Sequence, residues 1–527
     1  MTSIPHYSKQ DAPAELRLPG GWSLPWHRAA LTVIALVALY RLWYVTQLEL
    51  IADESYYFLW SKHLDWSYFS KGPGVACVIW LGTHLFGDSV FGIRFFTVAL
   101  SAGTGYCLYR LGRKLFDGQV GFFALLLAVI TPLFAIGSIL MTIDPISMFF
   151  WAAAALAFWR AKDEQGMAFW LLAGMCVGLG MLAKYTNVVQ LLCFLLFCAT
   201  SPHYRKLLGG KNFWLMTLTA ILCMAPVVIW NQQNDWITVQ HLWHRGSLDS
   251  KWHFSFKEIS NFFTGQCIAY SPLFFIGIFS AAIAGIWRLL YTEKPDPRLH
   301  FLVSLFWPLF LFYAFLSLNK SAEANWVVQC YFSGFILAVF VWRKWIRKSI
   351  LLRLFAISGV VVALFMTTVL QLGAWMPTPL LKKDPMDRVR GWASLGQQVY
   401  DLQKEHGASF IIASDYGTAS LVSFYHPLRP QTYIVNAEGI KNQYSFWSNY
   451  GDGFSNESAI YVTQNPNEDV PGQLKREFRK VELLKVAYTT DRGRNVKKFA
   501  FYLCRQFGGY DGEDANGEAP PNHEAEQ

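Results

Sequence analysis

Runs of apolar residues long enough to cross a bilayer recur between residues 28 and 375, and no other feature constrains this chain as tightly. A crossing needs about 20 mostly apolar residues, and in hydrocarbon a helix is the open-chain structure that satisfies its own backbone N–H and C=O groups. The runs predict spans over 28–48, 89–109, 118–138, 142–160, 166–183, 185–201, 212–230, 260–287, 300–318, 325–342 and 350–372, about eleven crossings. With 53% hydrophobic and 15% charged residues in 527, the chain is too apolar for a soluble protein of its length. Segment 74–87, GVACVIWLGTHLFG, is apolar but short, which predicts a helix lying in or dipping into the interface.

Charge orients these spans. If the N-terminus is cytoplasmic, the inward turns carry Arg110, Arg113 and Lys114, then Arg160 and Lys162, then Arg205, Lys206 and Lys211. Arg288, Lys294 and Arg298 follow, and then Arg343, Lys344, Arg347 and Lys348, whereas Lys71, Lys184 and Lys320 stand nearly alone in outward turns. This bias supports eleven spans and places the C-terminal part outside. The net charge of +9 is mostly the inward collar, so nucleic acid is not an expected partner. The nine cysteines sit mainly inside spans with no CxxC pair, which suits packing and indicates neither a zinc site nor a disulfide framework. The polar residues 1–27 do not form a cleavable signal, and 28–48 is expected to be a retained anchor.

Beyond WMPTPLLKKDP the apolar runs shorten to strand length, so residues 376–507 are expected to form a small α/β domain after a membrane domain at 28–375. Strands are predicted at 410–414, 432–435, 459–463 and 497–504, and helices at 388–405 and 472–480. The acidic tail 508–527 has too few apolar residues to fold. Two outward connections, 49–88 and 231–259, are long and rich in aromatics and histidine, which suggests function at headgroup level.

The chemistry-bearing residues each have two readings. Asp53 and Glu54, just after the first span, are either an interfacial helix cap or an acid–base pair partly buried by Tyr56, Tyr57, Phe58 and Trp60. Lys71, in YFSKGPG, either snorkels or joins its Gly-Pro-Gly turn to seat a phosphate. Asp144, in TIDP, has the form of an N-cap before a proline and can also face a cavity. Lys184 needs a partner or an aqueous cavity. His241 and His244 share a helical face but have no third ligand in sight, so an anion contact through Arg245 is favoured over a metal. Glu323, near Lys320, is the one acid of its short outward loop. No Walker loop, GxSxG or HExxH occurs.

The outward DE with its aromatic run, YFSKGPG, a short segment ending LFGDSVFGIRFF, TIDP and then KYT together resemble the GT-C glycosyltransferases of the protein O-mannosyltransferase and aminoarabinose transferase superfamily. The resemblance covers most of residues 28–345. It implies a polytopic α-helical membrane fold with interfacial helices in the first outward loop, and a sugar transferred from a polyprenyl phosphate to an envelope acceptor (lipid A, glycan, lipid or protein) outside the bacterial inner membrane. By the same resemblance Asp53 is catalytic with Glu54 beside it, Tyr57 and Lys71 contact the lipid phosphate, and Asp144 lines the cavity. Arg245 is the candidate for a phosphate-binding arginine, Lys184 a further cation, and His241 and Glu323 lie in candidate substrate loops. Many relatives have two prolines after the Lys or His, where this chain has Gly72 and Pro73. No cofactor is expected, and dependence on a divalent metal stays open. A transporter or flippase of lipid-linked sugars is the alternative, although the chain shows no inverted repeat.

Overall fold

The computed structural model describes residues 15–17, 23–163, 166–246, 252–376, 384–435 and 441–508. The tail expected to be unfolded lies, from residue 509, outside the described residues. Two compact units emerge: Met1–Leu48 with Tyr57–Met386, and Glu49–Tyr56 with Asp387–Gln527. The boundary near residue 376 therefore moves to 386, and eight residues from the first outward connection join the C-terminal unit.

The first unit is helical, apart from a small hairpin of β1 (Glu15–Arg17) and β2 (Ser23–Pro25). In chain order it contains α1 (Trp26–Tyr44), the latter part of α2 (Ala52–Lys62), α3 (Gly74–Phe86), α4 (Val90–Leu115), α5 (Gly118–Ile130), α6 (Pro132–Gly137), α7 (Ile143–Ala161), α8 (Ala168–Ala183) and α9 (Val189–Thr200). It continues with α10 (Lys211–Leu222), α11 (Ala225–Gln233), α12 (Ile237–Arg245), α13 (Phe256–Tyr270), α14 (Pro272–Tyr291), α15 (Pro297–Leu316), α16 (Val328–Lys348) and α17 (Ile350–Leu372).

Among the described residues, 7 helices are long and apolar enough to cross a membrane by themselves, fewer than the eleven crossings expected. Proline accounts for part of the difference. The run 118–138 breaks before Pro132, leaving α5 too short to cross, because proline lacks the N–H that a continuing helix needs; the runs around Pro226 and Pro272 are also interrupted but still supply a span each. Helix α3 has 13 residues, about 20 Å of rise, too short to cross about 30 Å of hydrocarbon.

Helix α16 lies deepest, with 78% of its apolar window buried. Rings pack around it, Phe116 on Phe340 at 3.8 Å and Tyr270 on Tyr331 at 3.5 Å between centroids. Small residues bring backbones together as membrane helices require: a Cβ on Gly112 would stand 2.7 Å from the Gly121 Cα. Arg94, fully buried on α4, donates from Nη1 to the carbonyls of Val45 and Leu48, 2.9 Å each, satisfying groups just beyond the end of α1.

The C-terminal unit contains α18 (Trp392–His406), β3 (Phe410–Ala413), α19 (Tyr416–Tyr425), β4 (Tyr433–Ile434), β5 (Ala459–Thr463), α20 (Gly472–Glu477), β6 (Phe478–Asp491) and β7 (Arg494–Phe507). Its sheet has the order β4-β3-β5-β7-β6; β3 runs parallel to β4 and β5, and β7 pairs antiparallel with β5 and β6. The predicted strands appear. The helix expected over 472–480 ends at Glu477, however, because Phe478 turns into the core and begins a 14-residue strand.

Candidate active site

In the helical unit, the site is built from the lysine turn outward. The Lys71 carbonyl accepts from the Tyr68 N–H at 3.0 Å and from the Ser67 hydroxyl at 3.3 Å, closing the turn. A Cβ on Gly72 would lie 2.3 Å from the Leu182 carbonyl oxygen, so only glycine lets the turn seat against the end of α8.

Two residues beyond Leu182, Lys184 leaves the helix in an extended conformation. Its Nζ donates to Asp144 Oδ1 at 2.8 Å and to the Asn325 carbonyl at 3.1 Å, while the Asn325 amide donates to Asp144 Oδ2 at 2.7 Å. The Lys184 and Asp144 side chains are 8% and 15% exposed, so this is a largely desolvated pair. Thr142, not Asp144, caps α7, its hydroxyl accepting from the Asp144 N–H at 3.3 Å. The carboxylate is thereby available to Lys184. One turn deeper Ser147, Asn187 and Gln329 form a buried network, with Ser147 Oγ 2.5 Å from Asn187 Oδ1 and 2.8 Å from Gln329 Nε2.

Arg245 lies over the Trp326 ring at 5.4 Å, next in sequence to Asn325. His241 packs against Phe69 at 4.5 Å. Its imidazole is held down to about 4, first by burial and then by the positive fields of Lys71, Arg245 and His244. Lys71, Arg245 and His244 therefore lie within electrostatic reach of His241. Tyr57 meets Trp60 edge-on at 5.0 Å, Trp60 stacks on Tyr68 at 4.4 Å, and the Tyr68 carbonyl accepts from the Thr238 hydroxyl of α12 at 3.2 Å. Glu323 is exposed, and its carbonyl accepts from Trp326 N–H at 2.9 Å in the turn that presents Asn325.

An apolar cavity of about 80 Å³ is walled by residues such as Ile34, Val98, Leu108, Leu133, Met148 and Phe332. Its polar lining includes Asp144, Asn325 and the buried Arg41. The cavity thus joins a greasy volume to the Asp144–Lys184–Asn325 group.

The acid pair belongs to the other unit. Glu54 is fully buried and accepts from the Ile51 N–H at 3.1 Å, closing the start of α2 as a capping-box carboxylate does. Asp53, beside it, is exposed. Glu49 accepts from the N–H groups of Trp392 (2.6 Å) and Ala393 (3.3 Å) at the start of α18, and the Tyr425 hydroxyl accepts from Leu50 N–H at 2.7 Å. These bonds hold the acid-bearing turn to the α/β domain.

The sequence reading did not single out Asn325, the Ser147–Asn187–Gln329 network, Arg41 or Glu49. For Arg41 the signal was present, a cation inside an apolar run, which is rarely there without a task. For the amides and Glu49 there was none, because their partners are 40 to 344 residues away.

A family model described as dolichyl-phosphate-mannose-protein mannosyltransferase matches residues 70–230. The chain is 25% identical over 420 residues to the lipid A galacturonosyltransferase RgtD of Rhizobium johnstonii, covering 77% of this chain and 84% of that one. It is 25% identical over 271 residues to the undecaprenyl phosphate-alpha-4-amino-4-deoxy-L-arabinose arabinosyl transferase of Pseudomonas aeruginosa, about half of each. The crystal structure of ArnT from Cupriavidus metallidurans bound to undecaprenyl phosphate shares its fold, with a TM-score of 0.59, 13% identity, and 90% of this chain and 98% of that chain covered. The chain is a glycosyltransferase similar in sequence and fold to the GT-C enzymes. The transferase reading therefore stands over the transporter. The part of this glycosyltransferase matched by the family model holds Lys71, Asp144 and Lys184, and leaves Asp53, Glu54, Arg245 and Glu323 outside.

Proposed function

We propose that this glycosyltransferase takes a sugar from a polyprenyl-phosphate donor and passes it to a hydroxyl or phosphate of an envelope glycolipid of the lipid A type, on the outer face of the bacterial inner membrane. The observation that carries the donor is the apolar cavity lined by Asp144 and Asn325, whose network partner Lys184 follows the α8 end on which the lysine turn sits. That arrangement suits an amphiphile whose apolar part meets the cavity's walls and whose anionic head meets its polar end. The acceptor class follows from RgtD, named for lipid A, and the two relatives together favour an acidic or amino sugar.

In this mechanism Lys71 and Arg245 compensate the phosphate as the glycosidic bond breaks, the leaving group taking the electron pair. Asp53 accepts the acceptor's proton as its oxygen attacks the anomeric carbon, a contribution of about 10²–10⁴-fold for a general base. Attack opposite the phosphate inverts the anomeric centre. Tyr57 borders the phosphate seat, and Glu54 is a positioning residue that fixes the start of α2. Asp144 and Lys184 hold the cavity's polar end in shape, while His241 and Glu323 shape the loops around it.

The test is purified enzyme in nanodiscs with a panel of undecaprenyl-phosphate sugars and a lipid A acceptor. Donor consumption is expected, with Lys71→Ala and Arg245→Gln each slowing it at least tenfold. A protein that consumes no donor, yet moves lipid-linked sugar across proteoliposomes, would overturn the reading.

A further inference from the structure

The α/β domain carries a second concavity that the proposed chemistry does not use. It opens beyond the carboxyl ends of the parallel strands β3 and β4, where open α/β sheets hold their ligands, and has a volume of about 520 Å³. That falls within the roughly 300–1,000 Å³ of a small-molecule site. Tyr416, Tyr433, Tyr444 and Trp447 line it, with Asn442 and Asn449 between them. Tyr444 and Trp447 meet at 66° and 5.1 Å, so two ring faces point in different directions.

Flat rings alternating with amides match a pyranose, whose axial C–H face packs on an aromatic ring while its hydroxyls both donate and accept. A nucleotide fits worse. The natural seat for its phosphate is the N-terminus of α19, and Asp415 already fills it, its carboxylate accepting from the Thr418 N–H at 2.9 Å and hydroxyl at 2.7 Å. Lys441 on the rim adds a cation suited to an acidic or phosphorylated sugar.

The concavity is also braced by the acid-bearing turn. Tyr56 packs on Tyr416 at 4.6 Å and lies parallel to Tyr444 at 6.0 Å, and its hydroxyl accepts from the Gln443 N–H at 2.6 Å. Asp53 precedes Tyr56 by three residues on α2, which puts the two on one side of the helix.

We infer that this concavity is a saccharide-binding site that holds pyranose rings of the acceptor. That the saccharide is an acceptor rests on the transferase reading; that the concavity binds saccharide does not.

The full chain in nanodiscs is examined by saturation-transfer NMR with two kinds of probe, a soluble glucosamine disaccharide with and without phosphates, and lipid A placed in the disc. Transfer to sugar ring protons is expected, falling at least fivefold in Trp447→Ala and in Ser448→Trp, which fills the concavity from an exposed position. Lys441→Gln is expected to weaken the phosphorylated disaccharide alone. A signal from the disaccharide identifies free glycan as sufficient, and a signal from lipid A alone identifies the membrane-held headgroup. No signal from either probe, or signals equal in wild type and Ser448→Trp, overturns the inference. Donor consumption measured on the same samples separates this result from the transferase reading: wild type that binds saccharide but consumes no donor refutes that reading and leaves the site standing.

Discussion

Replacing Asp144 by Ala removes one partner of a largely desolvated pair and leaves Lys184 with the Asn325 carbonyl. At 2.8 Å and an effective dielectric of about 20, the gross attraction is about 6 kcal/mol, most of it offset by desolvation of the two ions. The cost of stranding one charge is larger than the worth of the pair, about 3–5 kcal/mol. The Asn325 amide also loses its acceptor, about 1 kcal/mol or more. The assay is a denaturation titration in mixed micelles on Asp144→Ala, Lys184→Met and the double variant. Each single change is expected to cost about 3 kcal/mol or more, and the double variant less than the sum by at least about 1.5 kcal/mol. A single-variant cost below about 1 kcal/mol, or strict additivity, would refute the claim that these residues are held by each other.

Three further outcomes are expected. Gly72→Ala must push the lysine turn off the Leu182 carbonyl, at about 1–3 kcal/mol, and raise the donor KM severalfold; an unchanged KM would show that the turn does not set the phosphate seat. Glu49→Ala uncaps α18 and is expected to cost about 1–2 kcal/mol and to speed protease cleavage near residue 49, which limited proteolysis reads directly. His241 is held near pKa about 4 while the unfolded chain titrates near 6.5, so between those values the unfolded state binds more protons and stability falls as pH drops. His241→Gln is expected to flatten that loss between pH 6.5 and 4 in titrations at stepped pH, and an unchanged slope would contradict the placement of His241 among Lys71, His244 and Arg245.

Local signals made the helical architecture and the strands around Phe410 and Ala459 legible, since apolar periodicity acts within a window of a few residues. Two kinds of feature were not legible. Breaks at Pro132 and Pro272 hide inside runs whose summed hydropathy ignores a missing N–H, and β6 was hidden by the charges of EFRK, which look helical until Phe478 is buried. Within the candidate site, Lys71, Asp144, Lys184 and Arg245 stood out because charge is rare in such a chain. Asn325 and Glu49 did not, because a lone amide or carboxylate in a polar loop gains meaning only from a partner far along the sequence. The division of labour in the acid pair was equally hidden: adjacent residues on α2 point in different directions, so Glu54 is buried as a cap while Asp53 is exposed.

The central claim is that Asp53 activates an acceptor for in-line displacement of a polyprenyl phosphate. The direct measurement is the anomeric configuration of the product, read by the proton coupling at the transferred sugar's C1 from a donor of known configuration, with Asp53→Asn run alongside. Inversion in wild type and at least a hundredfold loss of transfer in a folded Asp53→Asn protein are predicted. Retention of configuration, or full transfer by Asp53→Asn, would contradict the account.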